Sequence, residues 1–349
     1  MYWKYCLRRL LHGACIYAVI LFIFSALFNA TMEKTVRAQI EEQIRAELVK
    51  LRVTMTPEQM TRYFEERRQA KYRLYHLNQP IWKRVVWRAA DTLLLRFGDS
   101  TIIRSASGEQ AVWTILAEAI PPTLLLFTTA VAADILLGVW IGLKMAQRVG
   151  GWLDKTMSLA TMAVYGMPTW WLGMLMIMAF AYVFKLFPSG GMHATPPPSG
   201  VWYYLDALHH LALPVLTLAL IGFWGRALLT RNIVVGVLQE EYIMAARARG
   251  LPERRVLYGH VMRTASPPIA TMSLLSLLAS ISGNLVIEGI FSWPGLGNLY
   301  WIAIEQNDIP VLMGCLAMTT ALYMAGLVLL DLIYGYLDPR IKVGERRSS

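Results

Sequence analysis

The chain has 349 residues, 56% of them hydrophobic, and a mean hydropathy of +0.43. That composition excludes an ordinary pair of soluble domains and places the chain among membrane proteins. A net charge of +10 would suggest a nucleic-acid partner in a soluble protein, but the basic residues flank apolar runs and form no continuous basic face, so nucleic acid is excluded too.

In chain order, Lys4, Arg8 and Arg9 precede an apolar run over about 13–30, long enough to cross a bilayer. Phe28 and Asn29 make a poor signal-cleavage site, so a retained first helix is expected. Residues 32–118 then turn polar. Val36, Ile40, Ile44 and Leu48 recur at four-residue spacing and predict an amphipathic helix over 33–51. Thr56, Pro57 and Glu58 signal the start of a second helix to about Arg73, and turns at 77–80 and 97–100 bracket a third over 81–95. This region reads as a solvated helical cap.

Five further spans follow. Pro121 and Pro122 open the second, to about Leu143, with Asp134 near its middle. The third covers about 157–184 and is bent by Gly166 and Pro168. A fourth runs over 209–229, a fifth over about 264–287 and a sixth over about 311–337. The N-terminus, the 144–155 loop, the 226–263 loop and the tail hold three, three, seven and four Lys/Arg, whereas 185–208 and 288–310 hold one and none. The positive-inside rule therefore puts both termini and the 226–263 loop in the cytoplasm. The organisation expected is a terminus and first span (1–31), an extracytoplasmic helical region (32–118), a five-span core (119–337) and a cytoplasmic tail (338–349).

Motifs for catalysis are missing from the sequence. No phosphate-cradling loop ends in Gly-Lys-Ser/Thr, and no Gly-x-Ser-x-Gly elbow is present. The pair His209–His210 has no Cys/His cluster beside it and reads as interfacial or capping, not as a metal site. Cys6, Cys15 and Cys315 have neither disulfide-framework nor zinc spacing. Among intramembrane ionisable groups, Asp134 reads equally as a helix–helix hydrogen bond or a pathway group, and Asp331 as a structural contact near the cytoplasmic end. Glu288, at the outer end of the fifth span, is placed to attract a cation or an amino terminus.

The polar island 240–255 stands apart. Its Ala-, Met-, Arg- and Glu-rich first half predicts a helix to Arg249, Gly250 a left-handed cap, and Pro252 the first turn of a second helix toward Arg263. Ala245–Ala246, Gly250 and the basic helix before Pro267–Pro268 resemble the "EAA" coupling loop of ABC importer permeases, most closely the dipeptide, oligopeptide and nickel branch. Where the wider superfamily has Glu, six residues before the glycine, this chain has Met244, as is common in that branch. The resemblance continues through His260, Arg263, Glu288, the Phe291–Gly297 stretch (Phe-Ser-Trp-Pro-Gly-Leu-Gly), Asp308, Asp331, Tyr334 and Asp338–Pro339–Arg340, and covers about 77–342. The segment before Leu77 is longer and more helical than usual in that branch.

The resemblance implies an all-α polytopic protein of the type I importer permease fold, a non-catalytic subunit in a prokaryotic plasma (inner) membrane. Implied partners are a homologous second permease, two cytosolic ABC ATPases that bind the ATP and Mg, and an extracytoplasmic solute-binding protein; no cofactor is implied on this chain. The solute would be di- or oligopeptides, with nickel chelates or oligosaccharides as alternatives; the rival class is a stand-alone channel or secondary transporter. Tyr242, Ala245, Ala246, Arg247, Arg249, Gly250, Arg254 and Arg255 are the implied ATPase-coupling positions. Asp134, Glu288 and Trp293 are the candidate pathway or gate residues, with Trp293 also an aromatic anchor at the outer interface.

Overall fold

The computed structural model describes residues 2–51, 56–74 and 77–337. Among them the secondary structure is helical apart from one isolated bridge between Asp99 and Ala111. Two compact units divide the chain, residues 1–117 with 302–321, and residues 118–301 with the remainder.

In the first unit, helix α1 (Tyr2–Leu51) is a single rod of 50 residues. At 1.5 Å per residue it is about 75 Å long. The expectation of a span followed by a separate amphipathic helix is corrected: no glycine or proline lies between residues 14 and 51, so nothing interrupts the winding. Helix α2 (Pro57–Leu74) starts with a reciprocal capping box, Thr56 Oγ1 accepting from the Gln59 N–H at 3.4 Å and Gln59 Oε1 from the Thr56 N–H at 3.0 Å. It folds back on α1, where Ile40, Ile44 and Leu77 form a buried cluster with Leu48, Phe64 and Tyr72. The side chain of Val36, the first member of the predicted stripe, lies outside the described residues. Helix α3 (Ile81–Leu93) follows Pro80 and gives way to Leu95 at φ +57°. Asp308, fully buried, accepts from Ser100 Oγ at 2.6 Å and from the N–H groups of Ile102 and Ile103, fixing the 99–103 loop.

The second unit is the apolar core. Helix α4 (Val112–Gln147) begins well before Pro121 and Pro122, which sit inside it and do not open it. Helices α5 (Trp152–Tyr165) and α6 (Thr169–Met176) form the bent third span, broken at Gly166–Pro168 by 104°. After α6 the chain widens into a π-helical stretch, Ile177–Val183. Helix α7 (Val201–Leu238) exceeds the expected fourth span at both ends. Then come α8 (Glu241–Ala248), the short α9 (Glu253–Arg255), a π-helical stretch Val256–Val261 and α10 (Met262–Ala279). Pro267 and Pro268 lie inside α10; the helix does not stop before them. Next are α11 (Leu285–Ile290), α12 (Leu296–Glu305) and α13 (Ile309–Leu337).

Among the described residues four helices are continuous, long and apolar enough to cross a membrane, and the bent α5–α6 pair, counted as one span, makes a fifth. The predicted fifth span is not one continuous helix. It stops after α10 at a 3₁₀ turn and Gly283, whose φ of +70° disfavours any side chain, and resumes as the six-residue α11. Asp338–Pro339–Arg340 and the basic tail lie outside the described residues.

Candidate functional site: an exposed helical loop and two buried carboxylate nodes

Residues 239–263 form the helix–turn–helix that the sequence predicts. Gly250 adopts φ +77° directly after α8, and nothing lies within 4 Å of where its Cβ would be, so the glycine is required by conformation, not by crowding. Arg247 closes the turn by donating to both carboxylate oxygens of Glu253, at 2.8 and 3.2 Å. Helix α8 has two faces. Ile243 and Ala246 are buried, and Ile243 joins Val234, Val256, Val261 and Ala265 in a cluster that ties α8 to α7 and α10. Tyr242, Met244, Ala245, Arg249 and Gly250 are exposed, as are Arg254 and Arg255 beyond the turn. Ala246, expected to be a contact position, therefore faces inward, and Tyr242 also donates or accepts a hydrogen bond with Thr264 Oγ1 at 2.9 Å.

Asp134 is buried on α4 and pairs with Arg226 on α7, whose Nε and Nη2 reach Oδ2 at 2.8 and 2.6 Å. Arg226 Nη2 also donates to Ser276 on α10 at 2.9 Å, so one guanidinium joins three helices. The helices come close because α4 presents Gly138 and Gly142. A Cβ on Gly138 would fall 2.7 Å from Arg226 Cβ, and one on Gly142 the same distance from Thr230 Cβ. This small-xxx-small spacing is legible in the sequence and is the signal that sequence reasoning missed. A second pair lies farther along: Arg231 donates to both oxygens of Asp154, at 3.0 and 2.9 Å, and Asp154 also accepts the Gly150 N–H. Arg226 and Arg231 thus belong to α7 and are used within the chain, leaving five arginines to charge the loop itself.

Glu288, expected to attract a cation or an amino terminus, is fully buried on α11. One oxygen accepts from Thr123 Oγ1 at 3.0 Å, the other from the N–H groups of Gly297 and Asn298 at 2.7 and 3.2 Å. These are orphan donors at the start of α12, so the carboxylate caps a helix N-terminus. Thr123 Oγ1 in turn accepts the Leu296 N–H at 2.7 Å. Trp293, expected as an interfacial anchor or gate, is also fully buried and donates its indole N–H to the Pro122 carbonyl at 2.8 Å. The Phe-Ser-Trp-Pro-Gly-Leu-Gly stretch wraps this node, and at Gly297 a Cβ would stand 2.7 Å from Leu285 Cα.

The histidine pair makes local bonds, His209 Nε2 with the Leu186 carbonyl at 2.8 Å and His210 Nδ1 with the Asp206 carbonyl at 2.9 Å. Asp331 is half-buried on α13.

Long apolar helices tied together by buried carboxylate contacts, with one exposed basic loop fixed to α7 and α10, define a polytopic helical membrane protein. Residues 134–343 match the family of binding-protein-dependent transport system inner membrane components, and the chain belongs to that family. It is similar to the oligopeptide transport system permease protein AppB of Bacillus subtilis (31% identity, covering 77% of this chain and 83% of the relative). It is also similar to the dipeptide transport system permease protein DppB of the same organism (34%; 78% and 83%) and to DppB of Escherichia coli K12 (29%; 76% and 82%). The chain accordingly has the type I importer permease fold and is a multi-pass permease subunit of an ABC importer.

Proposed function

We propose that this chain forms half of the translocation pathway of an ATP-driven importer of di- and oligopeptides, paired with a homologous second permease. Peptide reaches it from an extracytoplasmic binding protein, and two cytosolic ATPases, which hold the ATP and Mg, supply the energy. The named relatives at about 30% identity over most of the chain support the peptide assignment. The basic N-terminus, the basic loop and the basic tail support cytoplasmic termini, with α10 and α11 together counted as one of six crossings.

The observation that carries the coupling role is the two-faced α8. Its inner face is packed on α7 and α10, while its outer face of Tyr242, Ala245, Arg249 and Gly250, with Arg254 and Arg255 nearby, is turned outward. A partner that grips the outer face and moves must carry the inner face with it. ATP-driven closure of the ATPases would thereby rock the long helices between inward and outward openings. Arg247, engaged with Glu253, holds the turn and is itself exposed beside that face.

Gly250→Val tests this. Valine at φ +77° is strained, yet no neighbour obstructs it, so the variant should enter the membrane in normal amount and lose co-purification of the ATPase. ATPase recovered with the variant as with the parent chain would refute the docking. Identification of the ligand carried by the cognate binding protein checks the solute: a peptide supports the assignment, a nickel chelate or an oligosaccharide replaces it.

A further inference from the structure

Helix α3 turns its charged side toward a cavity of about 320 Å³ inside the first unit. Its lining includes the apolar Ile40, Phe97 and Met313 and the basic Arg84, Arg88 and Arg96. Asp91 and Asp99 line it too, so three guanidiniums face two carboxylates. Arg84 is the unusual member, being only 5% exposed. Its Nη2 donates to Glu33 at 2.8 Å, but among the described residues Nε and Nη1 meet no acceptor. A buried guanidinium with two unmet donor groups is costly unless an anion or other acceptor completes it. Arg88 follows one helical turn later on the same side. Burial, and then the adjacent Arg84 charge, push its pKa below the usual arginine range.

The depth of the cavity narrows the choice of anion. Ser25 Oγ donates to the Val85 carbonyl at 3.0 Å, which pins α3 beside the end of the apolar span Cys6–Leu27. Met313 stands in the first turn or so of the apolar span Ile309–Leu332. The cavity is therefore level with the place where hydrocarbon ends and lipid phosphates begin. Beside the cavity lining α3 exposes Trp82 and Trp87, and Lys83 lies 5.4 Å from the Trp82 ring centre, the side-chain types that favour a membrane interface.

We propose that this cavity binds a phosphate group, with the oxyanion on Arg84 and Arg88 and the apolar lining residues beside whatever the phosphate carries. Membrane phospholipid and free phosphate share that chemistry, and two probes separate them. The full-length chain, purified and delipidated in non-ionic detergent, is given phosphatidylglycerol and weighed by native mass spectrometry. In parallel its thermal unfolding is followed in inorganic phosphate and in chloride at matched ionic strength. Arg88→Gln is the variant of choice because it leaves the Arg84–Glu33 pair intact.

Retained phosphatidylglycerol that drops about tenfold or more in Arg88→Gln identifies a lipid site, the expected loss of a charged hydrogen-bonding partner. Stabilisation by inorganic phosphate that Arg88→Gln removes, without retained lipid, identifies a site for soluble phosphate. Binding of neither probe, or binding that Arg88→Gln leaves unchanged, overturns the proposal.

Discussion

The loop around Gly250 and the node around Glu288 look alike as sequence: each is a short segment of charge, glycine and proline between apolar runs. They resolve in opposite ways. At the node every acceptor of Glu288 is met from within, by Thr123 and the first N–H groups of α12, and the aromatic residue beside it is fully buried. Around Gly250 the chain meets only half of its own needs, burying Ile243 and Ala246 and leaving the other face of α8 outward. A buried charge is too costly to leave unpaired, so it is consumed by the fold; a charge on an exposed loop carries no such cost and is free for a partner.

Substitutions should separate the two classes, and the buried pairs should show the largest effects. Asp134→Ala leaves Arg226 in the core with only Ser276, and about 3–5 kcal/mol of stability should be lost, read as poor accumulation in the membrane and a lower unfolding temperature. Removing both partners in Asp134→Ala/Arg226→Ala should be less damaging than Asp134→Ala alone. If the two effects simply add, the pair is not coupled.

Next in size is Glu288→Ala. It strands the Gly297 and Asn298 donors, with an expected cost of about 3 kcal/mol and a fall in unfolding temperature. A Glu288→Ala variant that folds and accumulates normally but changes its range of solutes would return the residue to the pathway. The smallest stability change belongs to the exposed face: Arg249→Gln, Arg254→Gln and Arg255→Gln together should shift stability by no more than about 0.5 kcal/mol. The same triple variant should still weaken recovery of the ATPase, a loss without any counterpart in the folding of the chain.

Much of this was legible in advance, because local rules governed it. The helix start at Thr56–Pro57, the left-handed Gly250 and the break at Gly166–Pro168 each depend on a few adjacent residues. What sequence reasoning misjudged depended on distant partners. That Glu288 closes on Thr123, 165 positions away, and Trp293 on Pro122 cannot be read from either segment alone. The prolines misled for another reason: Pro121, Pro122, Pro267 and Pro268 signal helix ends in water, yet here they ride inside helices held by their neighbours. Continuity of α1 was hidden because its polarity changes while its backbone does not. The Gly138 and Gly142 pair was visible and went unused.

The central claim, that one face of α8 meets an ATPase while the other belongs to the permease, can be measured by site-directed cross-linking in the assembled transporter. With the exposed Cys15 replaced by serine, Ala245→Cys and Ala246→Cys are each labelled with a thiol-specific photoreactive reagent. The account predicts an adduct with the ATPase from position 245 and little or none from position 246, where the side chain is buried. Equal adducts from both positions, or none from 245 in a complex that still hydrolyses ATP, would contradict it.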